Sequence, residues 1–344
     1  MIDIELAPAP DSAFEAALQA AMDNKTKPVG ALGRLEDLAL QLARIQRSLT
    51  PTARRARLQI FAADHGMAAH GVSAFPQAVT GQMVSNFLAG GAAANVIAAR
   101  LGVTVEVIDA GVAGEPIEHP ALRQHRIGPG TANAIRGSAM TAEQRDLALR
   151  DGQALGAEGD DEVACFGEMG IGNTSAASLL YAKVLGLELE PLCGRGTGLD
   201  DAALARKRAL LTEAAARTSP TLTAPQALAE YGGFEIAMMT GAMLGAASAG
   251  KLVLVDGFIA GSAACCALAM APALRAHLCF AHCSAEAGHR IVLDTLGVQP
   301  LLSLDMRLGE GTGALLAWPF VQAAAGVLSD MASFDSAGVS QSDA

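Results

Sequence analysis

Two spacings of apolar residues run along the chain. Residues 58–63 (LQIFAA), 103–110 (VTVEVIDA), 162–166 (EVACF), 251–255 and 277–282 form short, nearly continuous apolar runs, as strands buried on both faces do. Longer stretches with helical spacing lie around them: 13–22 (AFEAALQAAM), 34–48 (RLEDLALQLARIQRS), 141–155, 176–185, 224–230, 234–248 and 314–327. Further helices are expected from about residue 77 through the small residues 90–94, across Lys207, from 257 to about 270, and from roughly 284 to 296. Thr141 with Gln144 reads as a capping box, and Gly156 as the stop of that helix. Residues 111–130 read as loop. Strands alternating with helices, with glycines at the strand ends, predict an α/β fold built on a parallel sheet.

Composition narrows this picture. The chain has 344 residues, enough for two average domains or one large α/β unit. It is 51% apolar but only 4% aromatic, so its core must be made of Ala, Leu, Val, Ile and Met in closely packed helices. The net charge of -11 argues against nucleic-acid binding, whose footprint is basic. The apolar run 252–274 has the length of a membrane span, but Asp256-Gly257 divides it into a buried strand and a buried helix, so no span is expected. Cys165, Cys193, Cys265, Cys266, Cys279 and Cys283 form no disulfide framework and suit a reduced, cytoplasmic protein. The acidic start, Met1-Ile2-Asp3-Ile4-Glu5, lacks a signal-peptide pattern, and the only low-complexity segment is the tail 340–344.

Candidate chemistry gathers at glycine-rich turns. In Arg307-Leu308-Gly309-Glu310-Gly311-Thr312-Gly313 one carboxylate stands among three glycines. Glycines permit a sharp turn and a close backbone approach. A partly desolvated Glu at such a place has a raised pKa suited to accepting a proton, whereas a solvated Glu in a polar turn has none. The second turn, Gly167-Glu168-Met169-Gly170-Ile171-Gly172-Asn173-Thr174, joins a strand to a helix and offers backbone N–H groups and a positive helix end to a phosphate or a ribose. A third, Gly194-Arg195-Gly196-Thr197-Gly198, precedes a helix that Asp200 can cap; Arg195 and Lys207 either complement a phosphate or are solvated. Asp64-His65-Gly66 ends the first strand, where polar side chains face the ligand crevice of parallel sheets.

His277, Cys279, His282, Cys283 and His289 match no paired zinc spacing, so no metal site is expected. A dinucleotide-binding dehydrogenase is disfavoured, because no G-x-G-x-x-G follows the first strand.

Seven stretches then converge: KPVGALGRLE (27–36), ADHGMAAHGVSAFPQAVTGQMVSNFLAGGAAANV (63–96), GEMGIGNTSAA (167–177), GRGTGLDD (194–201), VLVDGFIAGSAA (253–264), AHCSAEAGH (281–289) and RLGEGTGA (307–314). In this order and spacing they closely resemble the nicotinate-nucleotide–dimethylbenzimidazole phosphoribosyltransferase family over nearly the whole chain. Ala31, His70, Cys283 and Ala287 stand where the family has Ser, Glu, Arg and Pro. The resemblance implies a parallel Rossmann-like sheet flanked by helices. It implies an α/β core over residues 55–300 and a smaller helical domain from 1–54 plus 301–344. It also implies a homodimer that uses no metal or redox cofactor.

The implied reaction takes nicotinate mononucleotide and 5,6-dimethylbenzimidazole to α-ribazole 5′-phosphate and nicotinate. Glu310 matches the family's catalytic base. Glu168 is the candidate for stabilising cationic character at the sugar or for binding ribose. Gly170, Gly172, Asn173, Thr174, Gly196 and Lys207 are the phosphate and ribose candidates. Ser73, Phe75, Gln82, Met83 and Leu308 are the base candidates, although Phe75 and Met83 suit an ordinary core equally. The alternative is a catalytically silent nucleotide-binding regulator of the same fold, against which the intact Glu168 and Glu310 argue.

Overall fold

The computed structural model describes residues 4–196 and 198–340. The first three residues of the acidic start, Thr197 of the third glycine turn, and 341–344 of the tail lie outside the described residues. Six strands form one sheet: β1 (Ala56–Ala63), β2 (Thr104–Gly111), β3 (Leu122–Gln124), β4 (Val163–Met169), β5 (Leu252–Val255) and β6 (Leu278–Phe280). Every pairing is parallel and the spatial order is β3-β2-β1-β4-β5-β6. The fold is therefore the expected parallel α/β sheet flanked by helices.

The helices are α1 (Ser12–Asp23), α2 (Arg34–Gln46), α3 (Val79–Leu88), α4 (Ala93–Leu101), α5 (Ala142–Ala157), α6 (Asn173–Leu185), α7 (Asp201–Ala216), α8 (Ala224–Tyr231), α9 (Phe234–Ser248), α10 (Phe258–Met270), α11 (His289–Leu296), α12 (Thr312–Ser329) and α13 (Phe334–Ala337). Alternation along the strands divides them into two layers. Phe61 and Ala63 of β1, Ala164 and Phe166 of β4, and Val253 and Val255 of β5 face a core shared with α5, α6, α8, α9 and α10. Leu58, Ile60, Val163, Cys165, Leu252 and Leu254 face the opposite core, shared with α1, α2, α4 and α12. α12 has the length and hydropathy of a membrane span, and ten of its residues are buried.

Four expectations change. The helix from 77 breaks into α3 and α4, because Gly90 takes a left-handed φ of 78°. The short edge strand β3 lies within the expected loop 111–130, where three residues are too few to show a spacing. The helix placed at 284–296 starts only at His289, since Ser284 to Gly288 turn into the cavity described below. Gly156 does not stop α5, which runs on to Ala157. The capping box forms as expected: Gln144 N–H donates to Thr141 Oγ1 at 3.2 Å, and Thr141 N–H to Gln144 Oε1 at 2.9 Å.

Gly156 instead belongs to a contact that explains the low aromatic content. A Cβ on Gly152 would lie 1.8 Å from the Met238 carbonyl oxygen, and one on Gly156 would lie 2.0 Å from that of Ala242. Across the interface, Cβ atoms on Gly241 and Gly245 would lie 2.1 and 2.0 Å from the carbonyl oxygens of Leu149 and Gln153. α5 and α9 thus touch backbone to backbone. Gly241→Val must force them apart and is expected to cost about 1–3 kcal/mol, as overpacking does. A lower thermal midpoint by circular dichroism checks this; an unchanged midpoint would mean the helices part freely.

Candidate active site

Strand order reverses between β1 and β4, and in open α/β sheets the ligand crevice opens at the carboxyl ends of the strands beside such a point. A cavity of about 460 Å³ lies there. Its wall is assembled from the segments that leave the sheet: 72–75 after β1, 168–174 after β4, 256–259 after β5, and 282–286 after β6. The turn 307–310, entering α12, forms the remaining side.

Three buried carboxylates line it, with a fourth, Glu286, half-buried after β6. Glu168 ends β4, Asp256 follows β5, and Glu310 precedes α12, and all three are buried. Glu310 has a φ of 62°, flanked by Gly309 at 85° and Gly311 at 80°. A left-handed non-glycine residue costs about 1–2 kcal/mol, so its surroundings must hold it. Packing does so. A Cβ on Gly167 of β4 would lie 2.4 Å from the Glu310 carbonyl oxygen, and one on Gly311 would lie 2.4 Å from Leu58. Thr312 clamps the turn, its Oγ1 donating to the Gly309 carbonyl at 2.8 Å. The Glu310 side chain is then aimed at the start of α4, where Oε2 accepts from the Ala94 N–H at 3.4 Å.

Burial raises the pKa of Glu310, with the charge of Asp256 adding to it and the Ala94 N–H opposing. Glu168 is pushed well above the carboxylate range, by burial first and then by Asp256, Glu235 and Glu310; the Asn173 amide, which donates to it, opposes the shift. Burial also raises Asp256, against His282 and the N–H groups of Ala314, Gly313 and Gly311. Burial and neighbouring carboxylates thus raise both Glu168 and Glu310 and favour their protonated forms.

The start of α6 suits an anion. Gly172, at φ 101°, leads into α6, whose first residues Asn173 and Thr174 line the wall. The buried Nζ of Lys207 donates to Thr174 Oγ1 at 3.2 Å and to the Gly194 carbonyl at 3.1 Å. It would lie 3.6 Å from a Cβ on Gly196. Lys207 does not itself line the cavity but stands behind two residues that do. It is not solvated, although Asp200 does cap its helix, accepting from Ala203 N–H at 2.8 Å. Arg195 turns away to Asp201 and the Leu199 carbonyl. Below the turn, His65 and Glu235 form a fully buried pair at 2.7 Å, and a Cβ on Gly170 would fall 2.4 Å from the Ala63 carbonyl oxygen and crowd both, at 3.4 and 3.3 Å.

Ser73, Phe75, Met83 and Leu308 form the apolar side, with Phe75 51% and Leu308 57% exposed at the mouth. Gln82 is the exception: it is exposed on α3 and is not part of the lining, since Met83, the next residue round the helix, takes the inward position. Sequence reasoning did not assign roles to Asp256, His282, Ser284, Glu286 and Arg307, which also line the cavity. Their positions directly after β5, after β6 and before Glu310 were the available signal. His277 bonds to the Lys251 carbonyl and His289 accepts from Ser284 N–H, and among the described residues no group of three His, Cys, Asp or Glu is placed to hold a metal.

Residues 7–339 match the family profile described as Phosphoribosyltransferase. The nicotinate-nucleotide–dimethylbenzimidazole phosphoribosyltransferase of Aromatoleum aromaticum is 55% identical over 334 residues, covering 96% of this chain and 97% of that one. The enzyme of the same name from Dechloromonas aromatica is 52% identical over 341 residues, covering 97% and 98%. The chain belongs to this phosphoribosyltransferase family. The crystal structure of CobT from Thermus thermophilus superposes with a TM-score of 0.92 at 46% identity, covering 96% of this chain and all (100%) of that one. The four positions that depart from the family pattern, Ala31, His70, Cys283 and Ala287, all lie off the cavity wall.

Lys207→Met removes the buried positive charge behind Thr174 and Gly196 and should weaken binding of a nucleoside monophosphate by about tenfold. Titration calorimetry checks this. Unchanged affinity would reduce Lys207 to a support for Thr174 and Gly194.

Proposed function

We propose that this chain transfers the phosphoribosyl group of nicotinate mononucleotide to 5,6-dimethylbenzimidazole, releasing nicotinate and α-ribazole 5′-phosphate in the assembly of the cobalamin nucleotide loop. The observation that carries the reading is Glu310. It is a buried carboxylate with a raised pKa, held in a left-handed turn at the wall of the cavity, in a chain of this family.

The phosphate is placed at the start of α6, against Thr174 and Gly196 and in the field of Lys207. The flat base lies between Phe75, Met83 and Leu308. Alignment of the two reactants can lower the barrier by about 7 kcal/mol or more. The benzimidazole ring nitrogen bonds to the anomeric carbon as the bond from that carbon to the pyridinium nitrogen breaks. The electron pair leaves with nicotinate, and the remaining ring N–H gives its proton to Glu310. Attack opposite the leaving group converts a β-nucleotide into an α-product. Positive charge spreads over the sugar as this happens. A cationic nucleotide favours the ionised form of Glu168, which then faces that charge.

Residues 1–54 with 301–344 are read as the helical unit that completes the site, since Leu308 and Glu310 come from it. Six unpaired, buried cysteines support a cytoplasmic location. A homodimer is the expected working form, supported by the exposed Val29 (71%) and Leu32 (39%) of the turn before α2. Light scattering at twice the chain mass is the result expected; a monomer that turns over would end that part of the reading.

The central test is nicotinate release and product mass from the two substrates. Both products are expected from the native chain. Glu310→Gln should retain nucleotide binding and lose roughly 10²–10⁴-fold in kcat, the usual worth of a general base. The active form is the carboxylate, so activity should fall as pH drops through the Glu310 pKa. That fall lies above the ordinary glutamate value of 4.5. A native rate in the Gln variant would remove Glu310 from the base role. Nucleotide binding without product from the native chain would instead indicate a silent binder.

A further inference from the structure

Asp256 is a cavity-wall residue that the proposed chemistry leaves without a task. It sits directly after β5, 2% exposed, and its Oδ1 accepts from the Gly313 N–H at 2.6 Å and from the Ala314 N–H at 3.0 Å. These are first-turn donors of α12, which have no partner within their own helix. An anion at a helix N-terminus satisfies them and is stabilised by the helix dipole. The donors stand three and four residues after Glu310. The Thr312 clamp on Gly309 closes the strained turn on itself, and Asp256 ties its α12 side to the end of β5. His282 closes the arrangement. Its Nε2 is 3.8 Å from Asp256 Oδ1, and its ring lies so close to Gly313 that a Cβ there would fall 2.0 Å from Cδ2.

We propose that Asp256 is a positioning residue for Glu310: its carboxylate anchors the helix start that holds the base in place and sets a negative charge beside that turn. This rests on the reading of Glu310 as the base.

The charge argument follows from what surrounds Glu310. From β4 it faces Glu168, from the end of β5 Asp256, and from beyond β6 His282; α4 contributes the Ala94 N–H but no charge. Glu235, on α9, reaches Glu168, and at the far rim Glu286 lies near Lys207 and Arg307. Asp256 is the carboxylate whose charge, beside burial, raises the pKa of Glu310. A like charge nearby disfavours ionisation, so Asp256 makes Glu310 a stronger base than burial alone does.

Anchoring and charge can be separated by substitution. Asp256→Asn keeps an acceptor for the helix N–H groups and removes the charge, Asp256→Ser does the same with a hydroxyl, and Asp256→Ala removes both. The titration of Glu310 can be read without substrate, by carbon NMR of the full chain labelled at glutamate carboxyl carbons. Glu310→Gln assigns the signal.

In the native chain the midpoint should lie above the ordinary glutamate range, and in the Asn and Ser variants it should fall by about 0.5–1 pH unit. The acid limb of kcat should move down with it, while the KM for nucleotide stays within about twofold, as expected of a residue that acts through Glu310. The Ala variant should unfold several degrees lower than the Asn variant. A native midpoint in the ordinary range, or one that stays put in the charge-free variants, would overturn the charge half of the proposal. Equal thermal midpoints for Ala and Asn would overturn the anchoring half. An NMR midpoint that falls while the acid limb stays fixed would leave the coupling of Asp256 to Glu310 standing but overturn the reading of Glu310 as the base, and with it Asp256 as a positioning residue for that base.

Discussion

The close contact between the turn 309–311 and Gly167 of β4 is the constraint on which the site depends. A central strand with any side chain at 167 would hold the turn away from the sheet, since a Cβ there falls 2.4 Å from the Glu310 carbonyl. A turn without its flanking glycines could not adopt three successive left-handed residues. When both conditions are met, the turn lies flat on the sheet and Glu310 is carried into the cavity wall. The strain at Glu310 is then offset by packing, by Thr312 and by Asp256. A carboxylate on a mobile loop would be solvated and would have no reason to hold its proton more tightly than free glutamate.

The same placement gives the cavity two kinds of charge. Three buried carboxylates line it, at the carboxyl ends of β4 and β5 and before α12. A helix N-terminus and a glycine turn line it too, with a buried lysine behind them and Glu286 and Arg307 beside them. A substrate that carries both a phosphate and a pyridinium nitrogen matches both kinds. The net charge of -11 therefore does not conflict with an anionic substrate, because the local field at the start of α6 is what a phosphate meets.

The α5–α9 contact gives the low aromatic content a structural meaning. Four glycines let two helices meet at their backbones, so bulk that aromatic side chains would supply is replaced by proximity. Glu235 of α9, paired with His65 after β1, lies beneath the turn that leads into α6, so this side of the site is supported from the face of the sheet opposite to α12.

Much was determined by the sequence alone. Continuous apolar runs separated by helical spacing specify a parallel sheet, because strands buried on both faces need no alternation. The glycine turns at residues 167–174 and 307–313 specify places where backbone must turn sharply, and they carry Glu168, Asn173, Thr174 and Glu310 to the same wall. Only the tertiary structure could decide that Gln82 turns outward while Met83 faces in, since a helix's rotation about its axis is set by what it packs against. It alone decided that Gly156 serves a helix contact and not a helix end, for both uses ask for the same missing side chain. It also decided the part of Asp256. Gly313 and Ala314 are remote from it in sequence, and the hydrogen bonds that join them exist only once β5 and α12 lie side by side.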